Sequence, residues 1–383
     1  MEFYPEKANM SDDIREVPYR KEDNPRGACV VFGGQAGSEG KGAIAGYLSR
    51  KYEWGAAICT FMTNAGHTWV GDDGTEVVVN QLPVGLVGTP AKLLIGPGAA
   101  ITESFLEREM NAFEGQFGIE RRLRIHPRVM MIEEEDRLAE TVDTKYIAST
   151  MKGCGTALAR KVSRKGNVKL ARDVVWLQPY IADTTSIVNG LINQGKGVLV
   201  EAAQGFDLDI NHGISYPYCT SRGTTPMQVL ADCGIDGRLV TRSIAVLRTF
   251  PIRVGNVVED GERVGYSGPF GGREISFSSL GVPDELTTVT KRVRRIFEMD
   301  YDRIAVMSLV CRPTDIALCF MDYVEPMVSG RGDLGVFSES TVIEFVHKVT
   351  NAVHRSTFSP KVSLVKTGPK DGHLADNMGS WTV

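Results

Sequence analysis

The most chemically loaded stretch of the chain is Gly33-Gly34-Gln35-Ala36-Gly37-Ser38-Glu39-Gly40-Lys41-Gly42, with five glycines and one lysine in ten residues. The apolar run Val30-Val31-Phe32 leads into it, and Ala43–Arg50 leaves it as a predicted helix. Strand, glycine turn and helix N-terminus form the geometry in which backbone N–H groups and a lysine surround phosphate. Gly37–Gly42 is therefore a candidate phosphate cradle with Lys41 as its point charge. A strict P-loop has glycine where Gln35 stands and a hydroxyl where Gly42 stands. A tight glycine turn with no ligand is the competing reading.

Other residues could join this chemistry. His67 lies in Thr63-Asn64-Ala65-Gly66-His67-Thr68, a polar tip after the apolar run Ala56–Phe61. That is where open α/β sheets place ligands, and its ring can titrate, although a loop histidine is often only solvated. Gln204, after the predicted strand Gly197–Val200, could orient a carbonyl or amide, or simply cap backbone. In the basic run 291–295, Arg292 and Arg294 could hold two different anions. Otherwise the run is a solvated helix face. Arg164 sits in a Lys/Arg helix that could reach a phosphate, even across a subunit boundary. A phosphate loop plus two further anion-binding regions predicts several phosphorylated or carboxylated substrates, as in a ligase or kinase rather than a hydrolase.

These residues need a scaffold, and the chain supplies the pattern for one. Short apolar runs at Ala28–Phe32, Ala56–Phe61, Glu76–Val79, Lys92–Ile95, Gly197–Val200, 238–258, Ile304–Leu309, Ile316–Phe320 and Val362–Val365 are predicted strands. Ser104–Phe117, Glu133–Glu140 and Ser338–Val353 are predicted helices between them. This alternation predicts an α/β fold with a large, mostly parallel central sheet covered by helices. Residues 1–26 carry Pro5, Pro18 and Pro25 without helical or strand period and read as a flexible extension ahead of a single catalytic domain, 27–383. The composition is 42% apolar and 23% charged, with a net charge of −4, which gives no support to a nucleic-acid-coating surface. No apolar run approaches a membrane span and no secretory signal opens the chain. Seven scattered cysteines without a Cys-x-x-Cys pair fit reduced thiols and a cytoplasmic enzyme.

The motifs, taken in order, resemble the adenylosuccinate synthetase family. Gly34–Gly42 is similar to its Gly-x-Gln-Trp-Gly-Asp-Glu-Gly-Lys-Gly signature, and Asn64-Ala65-Gly66-His67-Thr68 matches its second signature letter for letter. Ala203-Gln204-Gly205, Asp209-Ile210-Asn211-His212-Gly213 and Tyr216–Ser221 resemble the next block. Thr288–Arg295 resembles the Thr-Thr-Gly-Arg-Arg-Arg-Arg loop, and Thr367-Gly368-Pro369 the terminal Thr-Gly-Pro. The resemblance runs from about residue 28 to 370 and implies a P-loop-like fold. It also implies a ligase that joins L-aspartate to a 6-oxopurine monophosphate through a 6-phosphoryl intermediate, at the expense of a nucleoside triphosphate and with Mg²⁺.

By match, the triphosphate would be bound by Gly37, Ser38, Glu39, Gly40, Lys41, Gly42, Gly66, His67, Thr68, Arg294, Asp322, Thr367 and Gly368. The purine nucleotide would meet Ser38, Asn64, Thr150, Gln204, Thr220 and Arg292, with Arg164 arriving from the neighbouring subunit of a homodimer. Aspartate would lie against Val289, Thr290, Arg292 and Arg294. Ser38, Lys41, His67 and Gln204 would be the catalytic set, His67 as general acid, and Ser38 with the Gly66 carbonyl would touch Mg²⁺.

Two departures narrow the resemblance. Ser38 stands where the family has the aspartate that takes the N1 proton of inosine monophosphate. A serine is smaller and neutral and leaves room beside N1 for the 2-amino group of guanine. That pattern resembles the bacteriophage branch of the family, the 2-aminodeoxyadenylosuccinate synthases, which act on dGMP and make precursors of 2-aminoadenine DNA. Cys319-Phe320-Met321-Asp322 replaces the guanine-reading Thr-Lys-x-Asp, which weakens the case for GTP and implies ATP or dATP, with a base able to stack on Phe320. Lys366 stands where the family usually has serine. The alternatives are an ordinary synthetase acting on IMP with GTP, or a catalytically silent nucleotide-binding homologue.

Overall fold

The computed structural model describes residues 24–88, 91–287, 291–354 and 359–379. Most of the proposed extension, and Val289 and Thr290 of the aspartate loop, lie outside the described residues.

Nine strands form the central sheet among the described residues, in the order Leu374–Asp376, Lys361–Lys366, Asp315–Cys319, Val240–Arg248, Gly27–Gly33, Gly197–Glu201, Ala56–Cys59, Lys92–Ile95 and Leu123–Ile125. Every pairing is parallel except the last hairpin, Lys361–Lys366 with Leu374–Asp376. The central strand shows why its sequence is continuously apolar. Cys29 and Val31 enter one hydrophobic cluster, whereas Ala28, Val30 and Phe32 enter another on the opposite face. Side chains alternate across a strand, so burial on both faces demands an unbroken apolar run. Among the described residues, no helix is long and apolar enough to cross a membrane.

Two predicted strands are corrected. Ile304–Leu309 is not a strand but lies within the helix Tyr301–Cys311. Asp300 caps it, accepting from the N–H groups of Asp302 and Arg303 at 3.1 and 3.0 Å, and Ile304, Met307, Ser308 and Cys311 form its buried face. A short apolar run fits a buried helix as readily as a strand, and the cap decides between them. The stretch 238–258 divides: Val240–Arg248 joins the central sheet, while Ile252–Arg253 pairs antiparallel with Arg295–Phe297 in a small separate sheet. Pro251 lies at the break, where a residue without an N–H cannot continue a central ladder.

Candidate active site

The glycine loop joins the strand Gly27–Gly33 to the helix Lys41–Lys51. Its residues divide by direction. Ser38, at φ 55°, is exposed, whereas the next residue, Glu39, is fully buried. The Glu39 carboxylate curls beneath the loop, accepts from the N–H groups of Gln35 and Gly37 at 3.2 and 2.8 Å, and pairs with Lys41 Nζ at 2.5 Å. The Glu39 carboxylate therefore shapes the cradle from inside and does not line the cavity, which leaves any triphosphate contact at this position to its backbone N–H. A Cβ on Gly33 would meet the same carboxylate at 2.7 Å, so that residue must be glycine.

Gln35 and Gly42, the two departures from a strict P-loop, each have a local reason. Gln35 bridges to the neighbouring strand, accepting from the Arg248 N–H at 2.8 Å and donating to the Arg248 carbonyl at 3.2 Å. A Cβ at Gly42 would lie 2.8 Å from the backbone of Thr68, so the helix start can rest directly on the His67 strand. Gly40 is the N-cap, at φ 108°, and offers no side-chain cap to the helix. The first-turn N–H groups are thus left for a ligand.

His67 begins the strand His67–Val70, paired with Glu76–Val79. It is 4% exposed, its ring stacks on Phe61 with centroids 3.9 Å apart, and Nε2 has no hydrogen-bond partner. Burial, reinforced by Lys41, pulls its pKa down to about 3, so the ring is neutral at pH 7 when no anion is present. The turn that carries it is held from behind. Asn80 Nδ2 donates to the Ala65 carbonyl at 2.7 Å, while the Glu109 carboxylate accepts from the N–H groups of Asn80, Gln81 and Leu82.

One cavity of about 560 Å³ gathers most of the expected residues, within the range of small-molecule sites. Gly37, Ser38, Gly40, Lys41, Gly42, Asn64, Gly66, His67, Thr68, Thr150, Gln204, Thr220, Arg294, Asp322 and Gly368 all line it. Gln204 holds its place at φ 62°, in the turn that follows the strand Gly197–Glu201. Asp322 keeps a buried oxygen, Oδ1, without a partner, and burial raises its pKa.

Three other expected residues lie elsewhere. Thr367 is fully buried and its hydroxyl is spent on the Arg331 carbonyl at 2.5 Å, so it does not line the cavity. Arg164 is exposed beyond the C-terminus of the helix Cys154–Val162 and does not reach this chain's cavity. Arg292 turns away from it, donating to the Gly255 carbonyl at 3.1 Å, while Arg294 turns in. A regular strand would set residues two apart on one face, so these opposite directions mark an irregular segment held only by the isolated antiparallel bridge Leu286↔Val293, and the helix-face reading of 291–295 falls.

Sequence reasoning missed a second group in the wall. Arg248, 1% exposed at the carboxyl end of its strand, stacks its guanidinium 3.6 Å from the Phe320 ring centroid and pairs with Glu285. Arg253, 5% exposed, also lines the cavity, donating to the Tyr218 carbonyl at 3.0 Å. The available signal was a charged residue closing an apolar run at the ligand-bearing edge of the sheet.

Mg²⁺ fits this site only as an ion carried largely by phosphate. Among the described residues, no cluster of three His, Cys, Asp or Glu side chains could hold a metal alone. Ser38 and Gly66 offer neutral oxygens at the wall, and Mg²⁺ commonly completes its shell with substrate phosphates and water.

Comparison with known proteins agrees with this geometry. A family model described as adenylosuccinate synthetase matches residues 30–175 and 167–328. The chain is 33% identical over 322 residues to the N6-succino-2-amino-2'-deoxyadenylate synthase of Salmonella phage PMBT28, covering 78% of this chain and 86% of that protein. It is 34% identical over 356 residues to the adenylosuccinate synthetase of Pyrococcus horikoshii, covering 91% and 98%. Among solved structures, it superposes with a TM-score of 0.78 and 29% identity on the succinoaminodeoxyadenylate synthetase of cyanophage S-2L, bound to dGMP and to dATP as energy donor, covering 92% and 96%.

Proposed function

The chain belongs to the adenylosuccinate synthetase family, and we propose that it is a carbon–nitrogen ligase joining L-aspartate to C6 of dGMP with ATP or dATP as phosphoryl donor. The product is 2-amino-2'-deoxy-N6-succinyladenylate, a precursor of 2-aminoadenine DNA. Overall identity favours neither branch, since the phage and archaeal relatives are 33% and 34% identical. The observation that carries the choice is Ser38, a small neutral side chain exposed in the cavity and engaged by Arg294 rather than by a carboxylate's charge.

A purine 6-oxygen is a poor leaving group, so it must be phosphorylated before the amine of aspartate displaces it. Phosphoryl transfer depends on positioning and on cations around the moving charge. Lys41 and the free N–H groups of the helix start hold the β- and γ-phosphates. Gly37 is excluded as a donor while its N–H serves Glu39. The neutral His67 ring donates to the transferred group, and the arriving negative charge raises its pKa towards general-acid use. Gln204 orients the purine edge, with Asn64, Thr150 and Thr220 along the nucleotide. Thr290, Val289, Arg292 and Arg294 receive aspartate, which requires Arg292 to leave the Gly255 carbonyl, and Arg294 also approaches the triphosphate, whose base can stack on Phe320. Ser38 and Gly66 would touch Mg²⁺, which neutralises phosphate charge when bound. Arg164 serves the neighbouring subunit's nucleotide in a homodimer. The nucleotide substrates place the reaction in the cytoplasm, that of the host if the chain is phage-encoded.

The test is to incubate the protein with aspartate, Mg²⁺ and ATP or GTP, offering dGMP or IMP, and to weigh the products. A succinylated dGMP derivative formed with ATP is expected. Turnover of IMP alone would overturn the reading in favour of the ordinary synthetase, and no turnover with any pair would favour a silent homologue.

A further inference from the structure

Glu285 has no substrate role above, yet three groups of the cavity wall converge on its carboxylate. Arg248 forms an ion pair with it, Nη1 lying 3.1 Å from Oε2. The Tyr323 hydroxyl donates to Oε1 at 2.8 Å, and Arg294 Nε stands 4.0 Å from Oε2. Through Arg294 the contact continues to Ser38, and through Arg248 it continues to Phe320. Burial pushes the Glu285 carboxyl up, but Arg248, the Tyr323 hydroxyl and Arg294 outweigh it and hold the pKa below the usual value. The carboxylate is therefore charged at pH 7.

Two guanidinium groups beside one cavity repel each other unless an anion lies between them. Arg248, with its side chain 1% exposed, is too buried to move into water, so loss of that anion would displace Arg294, the less buried of the two at 11%. We infer that Glu285 is a positioning residue that fixes Arg294 against Ser38 and Arg248 against Phe320, and so sets the donor-triphosphate end of the cavity. Asn64, Thr150, Gln204 and Thr220, at the dGMP end, make no hydrogen bond or ion pair with it. The inference rests on the proposed function for its assignment of ligands to the two ends.

Its test uses equilibrium binding, which needs no turnover. Titrate the full chain and its Glu285→Gln variant calorimetrically with Mg²⁺ and a β,γ-imido analogue of ATP, and separately with dGMP. Loss of one charge-assisted contact set should weaken the analogue about tenfold and leave dGMP within about twofold. Glu285→Asp should fall between Gln and wild type, and Tyr323→Phe should weaken the analogue in the same direction by a smaller factor. These two variants decide the matter if Glu285→Gln does not fold. Equal weakening of both ligands, or a lowered melting temperature with unchanged affinities, would overturn the positioning role alone. A wild-type chain that binds neither ligand would overturn the proposed function along with it.

Discussion

Ser38 Oγ accepts a hydrogen bond from Arg294 Nη1 at 3.0 Å across 256 positions of sequence. The contact ties the phosphate loop to the loop expected to carry aspartate. A carboxylate at position 38 would pair with Arg294 more tightly, so the serine leaves Arg294 freer to reach a substrate anion.

Ser38→Asp should fold normally, because aspartate tolerates the left-handed backbone that Ser38 already adopts at φ 55°. It should lower kcat/KM for dGMP by about tenfold or more, as the larger carboxylate crowds the 2-amino group and captures Arg294. Steady-state kinetics with dGMP checks this, and unchanged values would remove the steric basis for dGMP selection.

Glu39→Ala should destabilise the protein without removing a cavity-lining group. It leaves the N–H groups of Gln35 and Gly37 and the 6%-exposed Lys41 without their acceptor. Breaking a buried, hydrogen-bonded pair costs about 3–5 kcal/mol, to be read as a lowered urea midpoint. Bound triphosphate should recover part of that loss by supplying a new anion.

The depressed pKa of His67 has a stability consequence. The folded ring titrates near 3 and the unfolded ring near its ordinary 6.5, so the unfolded state binds the extra proton first. The contribution is complete above about pH 6.5 and is lost as pH falls from 6.5 towards 3. His67→Asn should flatten the decline of melting temperature over that window. In the free enzyme, kcat/KM should show no inflection near pH 6.5 from this residue.

Glu109 and Glu201 carry the opposite sign. Burial pushes both up to about 7, against the backbone N–H groups that each accepts. Their contribution is complete below the unfolded glutamate value of 4.5 and is lost as pH rises through about 7. Infrared spectra should show protonated carboxyl bands at pH 6 that fade by pH 8, and their absence at pH 6 would refute the assignment.

Arg164→Leu should leave the melting temperature unchanged, because the side chain is exposed and outside its own cavity. If Arg164 serves the neighbouring subunit, activity should fall, and mixing this variant with inactive His67→Asn should restore part of it through mixed dimers. Absence of complementation would count against sharing of the residue.

The sequence alone determined the architecture and most of the site. Unbroken apolar runs such as Ala28–Phe32 specify strands buried on both faces, and glycine-rich or polar tips after them specify a ligand edge. The ordered motifs of the glycine loop, Asn64–Thr68 and the Gln204 loop, together with Ser38, indicated the family and the branch. Tertiary structure decided what periodicity does not encode, namely the direction of individual side chains and contacts between distant segments. A left-handed turn at Ser38 sends adjacent Ser38 and Glu39 to opposite sides. Thr367 turns inward because Arg331, a residue 36 positions away, presents a carbonyl to it. The helix Tyr301–Cys311 escaped a reading based on apolar runs because burial leaves the same signature on a strand and on a helix. Glu285 became visible only when the fold brought Arg248, Arg294 and Tyr323 around it, since charge pairing depends on distance in space and leaves no mark in spacing along the chain.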